Sequence, residues 1–150
     1  MNLLVDQNFI ALLAAVGVPY HDREGNLTLE VPCDARGSLQ LGTRLTRRSV
    51  YFGAFFLRRP DVRHEEVYER VLGKHLDSHI WRFALDHAGD LAVVGVLPRP
   101  GLTTEALDEA LGALALLVDG CYENLVRTGF DVPDDVVVVG APPWARSDQS

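Results

Sequence analysis

The sequence predicts an α+β fold: an antiparallel sheet of about five strands with helices packed on it, in the order α-β-β-β-α-β-β-α. Three observations point there. Segments with alternating apolar residues come in a run of three and a run of two, not singly between helices as in a doubly wound parallel sheet. Segments with apolar spacings of three and four flank and separate those runs. No glycine-rich phosphate loop follows any strand.

The first helix covers residues 3–16. Leu3, Phe9, Leu12, Leu13 and Val16 recur at helical spacing, and Gly17 with Pro19 supplies the stop. After the turn-like Asp22-Arg23-Glu24-Gly25-Asn26 the period changes to two, with Leu27, Leu29 and Val31 on one face until Pro32. A short second strand spans Leu39 to Leu45. The third, from Val50 to Arg58, is apolar on both faces. Val50, Phe52, Ala54 and Phe56 are assigned inward. The other face, with Gly53 and the polar tip of Tyr51, suits a contact surface, which makes Tyr51, Phe55 and Leu57 candidate partner-binding residues. Arg47 and Arg58 flank the strand and join that set.

Pro60-Asp61 introduces a second helix from about Arg63 to Leu76, with Val67, Val71 and Leu72 as its buried stripe. Gly73 and Asp77-Ser78 weaken and end it. A hairpin follows, Trp81 to Asp86 and Leu91 to Leu97, around the turn His87-Ala88-Gly89-Asp90. Thr103 or Thr104 caps the third and longest helix. Its stripe is Leu107, Leu111, Leu114, Val118, Cys121, Tyr122 and Leu125, and Gly129 ends it. Residues 1–130 read as a single domain. Residues 131–150 form a tail whose valine run, Val136 to Val139, suits an extra edge strand or a pairing with another chain.

The chain has 150 residues, 47% of them apolar, enough for one core and too few for two. Cys33 and Cys121 are too few for a disulfide framework or a thiolate-rich zinc site. The opening residues lack a basic stretch and include Asp6, and no apolar run approaches a membrane span, so a cytoplasmic protein is expected, with no membrane partner. The net charge is −7, and residues 101–150 account for all of it, with nine acidic side chains against Arg127 and Arg146. Between positions 36 and 63 the balance reverses: seven arginines accompany only Asp61. A pI near 5.1 and the lack of a binding motif speak against nucleic acid.

No residue set specifies a catalytic, cofactor or metal site. His75, Asp77 and His79 are the nearest approach to a metal cluster, but helix is not expected to persist through His79. Cys33 follows a strand beside Asp34 and Arg36, without an identifiable base. Cys121 falls on a buried stripe. A metal- or thiol-dependent enzyme using His75, Asp77, His79 or Cys33 therefore stands as an alternative, as does a small-ligand sensor.

The segment from Ser49 to Phe130 resembles the YbjN family of candidate bacterial sensory transduction regulators. The resemblance lies in Phe56-Leu57-Arg58-Arg59-Pro60-Asp61 leading to Val67-Tyr68-Glu69-Arg70-Val71-Leu72, in the hairpin with Gly89-Asp90-Leu91 and Gly95, in the opening Leu102-Thr103 with Glu105-Ala106-Leu107-Asp108, and in Tyr122, Leu125 and Gly129-Phe130. Family members often end the second helix with an asparagine-containing turn, where this chain has Gly73-Lys74-His75-Leu76-Asp77-Ser78. The resemblance implies a type III secretion chaperone-like fold and no catalytic residues. It implies a non-enzymatic regulatory or chaperone-like domain that binds unknown protein partners; together with the two-faced third strand and the valine-rich tail, it leads to an expected homodimer.

Overall fold

The computed structural model describes residues 3–138. Its elements are α1 (Leu3–Val16), β1 (Tyr20–Arg23), β2 (Asn26–Val31), β3 (Leu39–Leu45), β4 (Ser49–Leu57), α2 (His64–Lys74), β5 (Trp81–Leu85), β6 (Leu91–Pro98) and α3 (Thr104–Gly129). The fold is α+β as the patterning predicts, with a six-stranded antiparallel sheet in the order β1-β2-β3-β4-β6-β5. The additional strand is β1, which takes up the first half of the expected turn. Glu24 and Gly25, both at positive φ, make a two-residue reversal, and Arg23 pairs with Asn26. His21, Asp22 and Arg23 are all exposed, so this edge strand carries no apolar alternation to announce it.

All three helices cover one face of the sheet. The core between the layers joins Phe9 and Leu13 of α1, Val67 and Val71 of α2, and the whole predicted stripe of α3 to the inward residues of β2 to β6. The Thr103 hydroxyl caps α3 by accepting from the Ala106 N–H at 3.1 Å. In α2 the stripe is narrower than expected. Val67 and Val71, four apart, face the core, while Leu72 lies about 100° further round and is 63% exposed. Trp81 lies flat against Gly95, where an added Cβ would sit 2.5 Å from the ring, and its indole N–H donates to the Ala110 carbonyl at 2.8 Å. That contact ties the edge hairpin to α3.

The end of β4 is organised by a buried cation. Arg36, 5% exposed, donates from Nε to the Phe56 carbonyl at 3.0 Å, from Nη2 to the Phe55 carbonyl at 3.2 Å and from Nη1 to the Ser38 carbonyl at 2.8 Å. Along β4, Phe55 pairs with Ala92 but Leu57 pairs with Leu91, so one extra residue is accommodated in a bulge. The bulge turns Phe56 and Leu57 both inward, each fully buried. The loop carrying Arg36 is held from the helix layer: the Asp119 carboxylate accepts the Asp34 and Ala35 N–H groups at 3.0 and 2.9 Å.

The edge strand β5 is covered by side chains. The Phe83 N–H, turned away from β6, donates to Nε2 of His75 at 2.9 Å, and the Ser78 hydroxyl and Arg82 donate to the Trp81 carbonyl. Residues 131–138 carry turns and no strand. Arg127 holds them by donating to the carbonyls of Pro133 and Val136. The remainder of the valine-rich tail lies outside the described residues.

Two outcomes test this architecture. Arg36→Met leaves the carbonyls at the bulge without their donor and should cost about 2–4 kcal/mol in urea unfolding, whereas Arg44→Met on the open face should stay within about 0.5 kcal/mol. Equal losses would contradict the role of Arg36. His75 must be neutral at Nε2 to accept from Phe83, and burial, with Arg82 nearby, holds its pKa below the ordinary 6.5. The unfolded chain then takes up the proton first, so this contribution to stability is present above about pH 6.5 and is lost as the pH falls. His75→Ala should therefore flatten the fall in melting temperature between neutral and mildly acidic pH. An unchanged acid slope would refute the assignment.

Candidate interaction surface

Strand register determines what the uncovered face displays. Residues opposite one another in an antiparallel pair share a face, so the outward rows can be read across the sheet. One row runs Arg44, Tyr51, Val96. The next runs Thr28, Gly42, Gly53, Val94, Arg82, and the third runs Glu30, Gln40, Phe55, Ala92, Ala84. The central strands β4 and β6 thus present Tyr51, Phe55, Ala92, Val94 and Val96 to the outside, with Tyr51, Val94 and Val96 37%, 37% and 47% exposed. Arg44 on β3 and Arg82 on β5 border this apolar centre. Gly42 faces Gly53 and leaves a shallow depression bounded by Arg44 and Tyr51.

The predicted partner-binding residues divide on this geometry. Tyr51 and Phe55 lie on the open face, and the Arg44 guanidinium sits 4.4 Å from the centroid of the Tyr51 ring. Leu57 does not belong to the surface: the bulge beneath Arg36 rolls it into the core, which strict alternation could not foresee. Arg47 is exposed at the β3–β4 turn. Arg58 is engaged within the molecule, paired with Asp61 through two hydrogen bonds and lying 4.6 Å from the Phe130 ring centroid. That pairing holds the Asp61 carboxyl below its ordinary pKa. Val94, Val96, Arg44 and Arg82 complete the surface; the sequence reading places Arg44 only in the arginine-rich stretch and names none of the four as partner-binding. The signal for Val94 and Val96 is the outward half of β6, apolar where a solvated face would be polar.

The chemical candidates are dispersed. His75 uses Nε2 on the Phe83 N–H and stacks on the Phe83 ring, while Asp77 and His79 are exposed beside a different surface. No group of three metal-ligating side chains converges among the described residues. Cys33 is buried, with its thiol directed at the Val31 carbonyl. Burial, reinforced by Asp119, pushes its pKa up to about 11, so the thiolate is scarce at neutral pH. Burial raises Cys121 to about 12.

A second apolar surface lies on the helix layer. A groove of about 590 Å³ runs between α3, the α2–β5 connection and β5, lined by Ile80, Ala113, Leu116 and Leu117 with Lys74, Asp77 and Glu109 around it. Leu116 is 77% exposed there, and Leu76, just past α2, is 88% exposed. Among the described residues, no helix is long and apolar enough to cross a membrane.

No family model matches the chain. An uncharacterised protein of Mycobacterium leprae is 30% identical over 114 residues, covering 76% of this chain and 61% of that protein. Uncharacterised proteins of Mycobacterium tuberculosis and Mycobacterium bovis are 27% identical over 114 residues, 73% of this chain and 62% of each of theirs. The chain therefore spans about three-fifths of the length of these relatives. Among solved structures, the crystal structure of YbjN from E. coli, a candidate transcription regulator, superposes with a TM-score of 0.59 at 15% identity, covering 79% of this chain and 91% of that one. By fold this chain is similar to YbjN, and by sequence it is similar to a group of mycobacterial proteins.

Proposed function

We propose that this chain is a non-enzymatic regulatory domain of the YbjN family that works in the cytoplasm by binding protein partners through its uncovered sheet face. The observation that carries the reading is the apolar centre of that face, Tyr51, Phe55, Val94 and Val96, on strands whose other side is fully packed. A two-layer fold that leaves its central strands apolar on the outside gains free energy when a third layer covers them. The likeness to the fold of YbjN, a candidate transcription regulator, supports a regulatory role. The raised thiol pKa values and the separation of His75 from Asp77 and His79 favour interaction over catalysis.

The expected homodimer fits the helix-layer surface better than the sheet face. Two copies meeting through the sheet would bring Arg44, Arg82 and their counterparts together, whereas Lys74, Asp77 and Glu109 around the Leu116 groove are of mixed sign and suit self-contact. A second reading, a small-ligand sensor, draws on the same groove, whose volume lies in the range of ligand pockets.

Sedimentation velocity at micromolar concentration separates these arrangements. The wild-type chain and Phe55→Glu should both be dimers, and Leu116→Glu should be a folded monomer. A monomeric wild type would remove self-association from the account. A monomeric, folded Phe55→Glu would make the sheet face the self-interface.

A further inference from the structure

We infer that the occupant of the open sheet face is an amphipathic helix of another protein with an apolar stripe and acidic flanks, an inference that rests on the interaction-domain reading above. The backbone comes first. β4 and β6 are paired on both sides, so an extended segment laid over them would find no free N–H or C=O groups to bond. The nearer sheet edge offers little more: at β5, His75 takes the Phe83 N–H, and Ser78 with Arg82 takes the Trp81 carbonyl. A helix satisfies its own backbone and needs from the surface only apolar contact and charge at its sides.

The dimensions agree. From Tyr51 to Phe55 the apolar centre runs about 14 Å along the strands, the length of some nine helical residues. Arg44 and Arg82 lie three strand spacings apart across it, about 14 Å, so a helix about 10 Å wide along β4 and β6 has one arginine at each flank. No carboxylate among the described residues forms a salt bridge with either arginine. Arg44 rests on the Tyr51 ring, and Arg82 bonds the carbonyls of Ser78 and Trp81, so both carry uncompensated positive charge. Glu30, two strands from β4, is the one acidic side chain in the three outward rows.

The same features disfavour other occupants. A second copy of this face brings arginine against arginine. Single-stranded nucleic acid would meet Val94, Val96 and Ala92 where successive bases need aromatic platforms. The acidic helix layer of the chain, Glu105, Asp108, Glu109 and Glu123 on α3, lies on the opposite side of the sheet and cannot fold back onto it.

Three series of ~18-residue synthetic helices, with one shared leucine–alanine stripe and flanks of Glu, Gln or Lys, test this by fluorescence anisotropy with the whole chain. The Glu series should bind about tenfold or more tighter than the Lys series and weaken as sodium chloride is raised. Arg44→Glu/Arg82→Glu should reverse the order of Glu and Lys in a protein that remains folded, with some loss of melting temperature where Arg82 no longer bonds the Ser78 and Trp81 carbonyls. Val94→Asp and, independently, Val96→Asp should abolish binding in a folded protein. Equal or tighter binding of the Lys series, displacement of the Glu series by an oligothymidylate, or insensitivity to both valine variants overturns the inference. So does the absence of binding in all three series, which leaves the regulatory reading standing on other surfaces. Binding that is lost in Leu116→Glu but kept in Val94→Asp also overturns it, by moving the partner to the groove.

Discussion

The arrangement of this molecule depends on the guanidinium of Arg36. A buried cation is costly unless its donors are met, and here three backbone carbonyls from two segments meet them. The residue reaches its site because Asp119 on α3 fixes the turn that carries it. In return, Arg36 stabilises the bulge that lets consecutive residues of β4, Phe56 and Leu57, both enter the core. Upstream of the bulge, alternation is strict and every second residue faces outward. The position of the bulge therefore sets where the open face ends, just beyond Phe55.

That division also organises charge. The net charge of −7 resides in the last third of the chain, and among the described residues Glu105, Asp108, Glu109 and Glu123 of α3 and Asp131, Asp134 and Asp135 after it are exposed, while Asp119 is turned to the Arg36 loop. Arg44 and Arg82 border the opposite surface. One side of the domain is apolar with basic borders, and the other is acidic with a groove of mixed charge. A surface of each kind attracts different company, and long-range attraction between the basic borders and an acidic partner would speed encounter before apolar contact sets affinity.

Much of the fold is legible in the sequence because burial on one side imposes a period. All seven residues of the stripe read on α3 face inward, with Ala110 and Val126 buried beside them, and β2 and β5 show clean alternation, while β6 is apolar on both faces. β1 escaped because an edge strand held by backbone pairing needs no apolar side chains. Leu72 follows Val71 about 100° round the helix, so the i, i+4 spacing of Val67 and Val71 marks the core face, and a stripe widened to include Leu72 claims more than the core takes up. The surface was half legible. The apolar outward residues of β4 flagged Tyr51 and Phe55, but Leu57 could be placed only by knowing the bulge, and the bulge depends on Arg36, twenty residues away. Arg58 looked like part of a basic patch, and its pairing with Asp61 and Phe130 is visible only in three dimensions.

The account stands or falls on which surface meets a partner. A photo-crosslinking amino acid placed singly at Val94 and at Leu116 in the whole chain, expressed in its native host, compares the two directly. Position 94 should capture another protein through an acidic helical segment, while position 116 should capture a second copy of this chain. Capture of a different protein at position 116, with nothing but solvent at position 94, would contradict this.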